Sequence, residues 1–324
     1  MMDKKMFILG GTGFIGREAV KQAVLAGWQV KALVRSEEVA NKIKQMGANP
    51  ILGDISQLDT WITEASGNSI LIDLTQPKFS KRLGHHAIMA ISAERQVMVR
   101  VILAGLQSLP AVERPIFFSV SGADDLQPDE QGVITEHSPL RNHLYGFSHI
   151  GIPGRRLIEA SGVAATFIYF GNLVYGPGKV FADQFITGLK NGSTFIIGKG
   201  TNHLPLVQVV DAARALVHLA TLTRSELNGR TFIVMDGAHT TLRELLYDTA
   251  ALMGVKRPRT IPAWLAALVA GSIAVETITL DAYADHSALL ATGFLFQYPT
   301  HKQGVPATLS TLGYFPPSGI KELR

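Results

Sequence analysis

The amino-acid sequence predicts an α/β protein, a doubly wound parallel sheet followed by a smaller C-terminal α/β region, and three observations predict it. The apolar strand Phe7-Ile8-Leu9 runs straight into Gly10-Gly11-Thr12-Gly13-Phe14-Ile15-Gly16, and this turn opens a helix carrying apolar Ala19, Val20, Ala23 and Val24. Short apolar strands then alternate with helical stretches up to residue 170, the pattern of a parallel sheet covered on both faces. The chain, with 324 residues and 47% hydrophobic content, is long enough to bury a large core.

Residues 6–9 read as the first strand and 17–26 as the first helix. In the turn between them Gly10 permits the tight bend, Gly13 lets the backbone approach a pyrophosphate, and Gly16 lets helix and strand pack closely. The helix N-terminus adds N–H donors and positive potential, so Gly10, Thr12, Gly13, Phe14, Ile15 and Gly16 are candidate cofactor contacts. Strands follow at 29–34, 50–52, 69–74, 116–120 and 164–169, with helices at 37–46, 83–106 and 145–161. Ligands bind at the carboxyl ends of such strands, which points to Arg35, Asp54, Leu74, Thr75, Ser121 and Gly171.

Past residue 170 the pattern changes. Gly176-Pro177-Gly178 breaks it, a helix is expected at 181–189, an amphipathic helix at 211–222 and a strand at 231–234. Thr241-Leu242-Arg243-Glu244 fits a capping box before a helix ending near Met253. The division expected is a dinucleotide-binding part, 1–170, and an interwoven substrate-binding part, 171–324.

The sequence has no cysteine, which excludes disulfides, thiolate metal sites and cysteine nucleophiles and fits a cytoplasmic protein. A net charge of +4 with scattered cations gives no nucleic-acid footprint. No run of 18 apolar residues exists; the nearest, 263–275, contains Gly271 and Ser272, so no membrane span is expected. His137, His143 and His149 recur every six residues, not a helical ligand spacing, and no metal is expected.

In six ordered segments the chain resembles the extended short-chain dehydrogenase/reductases, also called the NAD-dependent epimerase/dehydratase family. These are the turn Gly10 to Gly16; Gly53-Asp54-Ile55; Phe117-Phe118-Ser119-Val120-Ser121; Ile134-Thr135-Glu136-His137-Ser138-Pro139 ahead of Tyr145; Gly171-Asn172-Leu173-Val174-Tyr175-Gly176-Pro177-Gly178; and Leu206-Val207-Gln208-Val209-Val210-Asp211-Ala212-Ala213. The resemblance implies a Rossmann sheet, a nicotinamide cofactor, Asp54 and Ile55 on its adenine side, and Ser121 as the active-site serine. Ser119, one pleat away on the same face, competes with Ser121. It also implies a homodimer through 83–106 and 145–161, and a small-molecule substrate.

Strand two ends Val34-Arg35-Ser36, with no acid for the ribose hydroxyls of NAD and an Arg suited to a 2′-phosphate, so NADP is favoured over NAD. The catalytic pattern departs from the resemblance. Where the family has Tyr and, four residues on, Lys, this chain has Tyr145-Gly146-Phe147-Ser148-His149. On a continuous helix Tyr145 and His149 share a face. Three readings follow: His149 as a substitute for the Lys in hydride transfer, a redox-neutral isomerase, epimerase or cyclase in which His149 or Tyr145 moves a proton, or a dinucleotide-binding sensor or scaffold. The alternatives Tyr175-Gly176-Pro177-Gly178-Lys179 and Tyr298-Pro299-Thr300-His301-Lys302 are broken by Pro or Gly. Tyr169, Phe170 and Tyr175 are candidates to line the pocket, whereas 264–275 and Phe294-Leu295-Phe296 read first as core and second as cover for a hydrophobic substrate.

Overall fold

A computed structural model describes residues 4–80 and 82–314. Its first half runs β1 (Lys5–Leu9), α1 (Phe14–Leu25), β2 (Gln29–Val34), α2 (Glu37–Gln45), β3 (Asn49–Leu52), α3 (Ile62–Ala65), β4 (Ile70–Asp73), α4 (His85–Ser108), β5 (Ile116–Gly122), β6 (Val133–Ile134), α5 (Ser148–Ser161) and β7 (Ala165–Phe170). Then come β8 (Leu173–Tyr175), α6 (Thr187–Asn191), β9 (Ile196–Ile197), β10 (Leu206–Gln208), α7 (Val209–Leu219), α8 (Arg224–Leu227), β11 (Thr231–Val234), α9 (Leu242–Met253), β12 (Thr260–Ile261), α10 (Ala263–Ala270), α11 (Ser272–Ile278), β13 (Tyr283–Ala284), α12 (Ser287–Leu290) and α13 (His301–Thr311).

Seven strands form one parallel sheet in the order β11-β7-β5-β4-β1-β2-β3. The chain winds outward from β1 in both directions, so the strand order reverses between β1 and β4 and leaves a crevice at their carboxyl ends. Because side chains alternate across a strand, Met6 and Ile8 enter one core and Phe7 and Leu9 the other, and all four are fully buried. This two-sided burial is why the strands read as continuous apolar runs. The register sets Leu9 beside Asp73, Asp73 beside Ser119 and Ser121 beside Tyr169, aligning the strand ends that carry the site.

The chain crosses the expected division at residue 170. Strand β11 returns to the main sheet beside β7, and α7 packs against α1. A third core, with Tyr175, Phe181, Leu206, Leu245 and Leu309, holds the remainder together. The expected capping box is present: Thr241 caps α9 and exchanges bonds with Glu244. Residues 180–186 form a π-helical turn leading into α6, where a helix over 181–189 was expected.

Two expectations need correction. The helix anticipated from residue 145 begins at Ser148, because Gly146 adopts φ +56° and turns the chain before it. The apolar stretch 264–275 is two helices, broken at Gly271, whose φ of +95° and contact with the Leu83 backbone exclude a side chain. Of these, α11 buries Ile273 and Val275, but in α10 only Ala266 is buried, so α10 is no core helix.

Candidate functional site

The glycine turn is built as the sequence requires. Gly10 has φ +77°, and a Cβ there would lie 2.7 Å from the Leu74 carbonyl group, so the β4 loop can cross directly over it. A Cβ on Gly16 would collide with the Gly10 carbonyl oxygen. Gly13 donates to that same oxygen at 2.9 Å and starts α1, which has no side-chain cap and no acid in its first turn. A helix N-terminus without a cap, approached through backbone alone, fits a pyrophosphate. Thr12 and Gly13 are exposed, and the Phe14 ring lies 3.2 Å from where a Cβ at Gly176 or Gly178 would stand, tying the turn to the second half of the chain.

At the end of β4, Asp73 is buried with every acceptor engaged. Its Oδ1 accepts from the Thr75 amide at 3.0 Å and the Thr75 hydroxyl at 2.5 Å, while Oδ2 pairs with Arg95 of α4 at 2.6 Å. Arg95 also donates to the Thr75 hydroxyl at 3.1 Å. Thr75 is thus fixed in place, and Leu74 is held by its N–H bond to Leu9 at 3.0 Å. Arg35 is exposed at the end of β2. The Asp54 carboxylate is held below its usual range by the Ser56 hydroxyl and amide, with a smaller contribution from Arg35, and Ile55 packs on the core.

Sequence reasoning missed the acids after β5. Ser121 donates to Asp125 Oδ2 at 2.6 Å, and Asp125 and its neighbour Asp124 are both buried. Burial, then the adjacent Asp124, pushes the Asp125 carboxyl well above the usual range; burial raises Asp124 to about 6. Asp124 Oδ2 accepts from the Phe147 amide at 2.6 Å, and the Asp124 carbonyl accepts from Arg141 Nε at 2.9 Å. Gly151 of α5 has no room for a side chain against Asp125 and Ser121. The available signal was two adjacent acids right after a buried strand.

Ser121, Tyr145 and His149 come to the same end of the sheet, but Tyr145 and His149 do not share a helical face. Tyr145 lies in the loop before α5, its amide bonded to the Ser148 hydroxyl at 2.6 Å and its ring 5.6 Å from the Arg141 guanidinium. His149, in the first turn of α5, is buried with Nδ1 unpartnered and meets the His85 ring edge-on at 5.5 Å. Burial, then His85, lowers its pKa, disfavouring the charged imidazolium.

Tyr169, Phe170 and Tyr175, expected to line a pocket, are at most 2% exposed and belong to the three cores. Tyr169 receives a bond from Arg155 at 3.0 Å, and Tyr175 packs its hydroxyl against Gly304. Phe294 is core, whereas Leu295 is 75% exposed. Above the site, α11 forms a cover: Glu276 accepts from the Gly146 amide at 2.9 Å, and the Thr277 carbonyl accepts from Asn172 at 3.1 Å.

Comparison with known proteins agrees with this geometry. The family described as NAD(P)H-binding matches residues 10–194. The uncharacterized protein C2A9.02 of Schizosaccharomyces pombe is 30% identical over 222 residues, 66% of this chain and 69% of that protein. A 4-hydroxy-2-methyl-3-oxo-4-farnesyl-3,4-dihydroquinoline-1-oxide ketoreductase of Stigmatella aurantiaca is 23% identical over 265 residues, 78% of this chain and 74% of that one. Among solved structures, the human epimerase family protein SDR39U1 with NADPH superposes with a TM-score of 0.77 at 17% identity, covering 94% of this chain and 99% of its own. With an uncapped glycine turn at the switch point of a seven-stranded parallel sheet, the chain belongs to the NAD(P)H-binding family and has the Rossmann fold of the extended short-chain dehydrogenase/reductases.

Proposed function

We propose that the protein is an NADP-dependent oxidoreductase acting on a carbonyl or alcohol of a hydrophobic small molecule. The observation that carries the reading is the glycine turn at the N-terminus of α1, with exposed Arg35 and no acid at the end of the neighbouring strand. The likeness to a ketoreductase with a farnesylated substrate supports the substrate class. Gly10, Thr12, Gly13, Phe14, Ile15 and Gly16 hold the pyrophosphate, Arg35 the 2′-phosphate, Asp54 and Ile55 the adenine side, and Leu74 and Thr75 the inner edge. The bound dinucleotide supplies the hydride. In the free protein Asp125 holds and orients Ser121; when substrate binds, the single Ser121 hydroxyl hydrogen turns to the substrate oxygen and stabilises its developing charge, and Tyr145 exchanges the proton. His149, with its Nδ1 free of a hydrogen-bond partner, contributes a polar wall. The chain works in the cytoplasm, as a dimer through α4 and α5.

A second reading, dinucleotide binding without turnover, is favoured by one observation: Tyr145 stands outside the helix that carries His149. Calorimetric titration with NADPH and with NADH tests the cofactor, and NADPH oxidation over a panel of lipophilic ketones tests turnover. Tight NADPH, weak NADH and measurable oxidation are expected. Binding of neither dinucleotide overturns both readings, and NADPH binding with no oxidation leaves the second.

A further inference from the structure

Helix α10 lies at the surface with its apolar side chains outward. Its sequence, Ala-Trp-Leu-Ala-Ala-Leu-Val-Ala, has no polar residue, yet Trp264 is 67%, Leu268 59% and Val269 77% exposed. Each of these is a large side chain, and together they form a contiguous patch of the kind soluble surfaces rarely keep bare. The helix is held from beneath by the α4 approach: Leu83 donates to the Ala270 carbonyl at 2.7 Å and accepts from Ile273 at 3.1 Å. Its outward pose is therefore built into the fold and is no frayed end.

The surroundings are cationic. No acidic residue occurs between Asp248 and Glu276, while Lys256, Arg257 and Arg259, all exposed, lead into α10. On its other side, an open cavity of about 570 Å³ sets Arg82, His85 and His86 against Ala267 and Leu268. Apolar side chains ending in a Trp, bordered by cations and free of acids, match the two layers of a lipid leaflet, acyl chains below and anionic headgroups above. Its exposed face offers one hydrogen-bonding group, the Trp264 indole N–H, and it is the cations at its border that favour an anionic lipid surface as the occupant.

We propose that α10 is a membrane-docking element that inserts Trp264, Leu268 and Val269 into a bilayer bearing anionic lipids, with Arg82 and the 256–259 cations on the headgroups. The protein rests on the membrane and does not cross it; among the described residues no helix is long and apolar enough to do so. Since α11, which follows α10 across the break at Gly271, covers the Ser121 end of the sheet, docking sets that end toward the lipid. The proposal goes beyond the reductase reading and stands whether or not the site turns over.

Tryptophan fluorescence tests it directly, because Trp28 and Trp61 are 5% and 0% exposed and Trp264 is the one exposed reporter among the three. Full-length protein is titrated with phosphatidylcholine vesicles, with and without phosphatidylglycerol, and the fractions are sedimented. A blue shift with co-sedimentation on the anionic vesicles, weakened by salt, is expected. The double variant Leu268→Glu, Val269→Glu, whose sites are exposed and whose fold is checked by NADPH titration, should bind those vesicles at least about tenfold more weakly. Several results overturn the proposal: no shift on either vesicle, equal binding to pure phosphatidylcholine, an unchanged double variant, emission already blue in the free protein because the chain covers its own helix, or a shift that follows protein concentration through self-association.

Discussion

Ser121 and Asp125 are joined by a 2.6 Å hydrogen bond, and the serine gives the buried carboxyl its one hydroxyl donor. The other Asp125 oxygen has no partner, and Gly151 presses α5 onto the pair. Replacing the serine leaves a buried acid without its donor. We expect Ser121→Ala to lower unfolding free energy by about 1–3 kcal/mol, read by urea denaturation, with NADPH affinity within about twofold of the parent. An unchanged denaturation midpoint would dissociate the bond from stability.

The Asp73–Arg95 pair makes a stronger statement, since the Asp73 side chain is fully buried and the Arg95 side chain 9% exposed. Arg95→Met removes the cation paired with that carboxylate and should cost about 3–5 kcal/mol. It should also loosen Thr75 and weaken NADPH binding, measured by calorimetry alongside thermal unfolding.

Gly16 and Arg35 separate shape from charge in cofactor binding. Gly16→Ala puts a methyl into the Gly10 carbonyl, so affinity for NADPH and NADH should fall together by more than about tenfold. Arg35→Ala should weaken NADPH alone by about tenfold or more and leave NADH unchanged, because only the proposed contact to the 2′-phosphate is lost.

Asp236 gives a pH dependence. Burial raises its carboxyl to about 7, and Oδ2 has no partner. A carboxyl raised on folding stabilises the native state most below its ordinary value near 4, and this contribution is lost as pH rises through about 7. Stability of the parent should therefore fall between about pH 5 and pH 8, and Asp236→Asn should flatten that fall by about 2 kcal/mol, read from denaturation at both pH values.

Much of the fold was legible because its causes are local or periodic. Glycine positions, continuous apolar strands and the Thr241–Glu244 box encode the turn, the two-sided sheet and a helix start by themselves, and β11 was visible as a strand though not as a member of the main sheet. The serine at the end of β5 and the missing acid after β2 could likewise be read from order along the chain.

What only the tertiary structure decided depends on which surfaces meet. Spacing placed Tyr145 and His149 on one helix face, but contacts of Gly146 with Thr277 and Asp124, distant in sequence, turn the chain first. Tyr169 and Tyr175 could line a pocket or fill a core; packing across the sheet and against Gly304 buried both. Asp124 and Asp125 acquire their shifted protonation from burial, a quantity no residue type contains. Helix α10 shows the converse: apolar composition predicts a wish for burial, and the fold provides nothing over Trp264, Leu268 and Val269 among the described residues. Sequence determined the backbone's turns and periods, which arise from neighbours along the chain. Burial, and with it charge state and exposure, arises from neighbours in space.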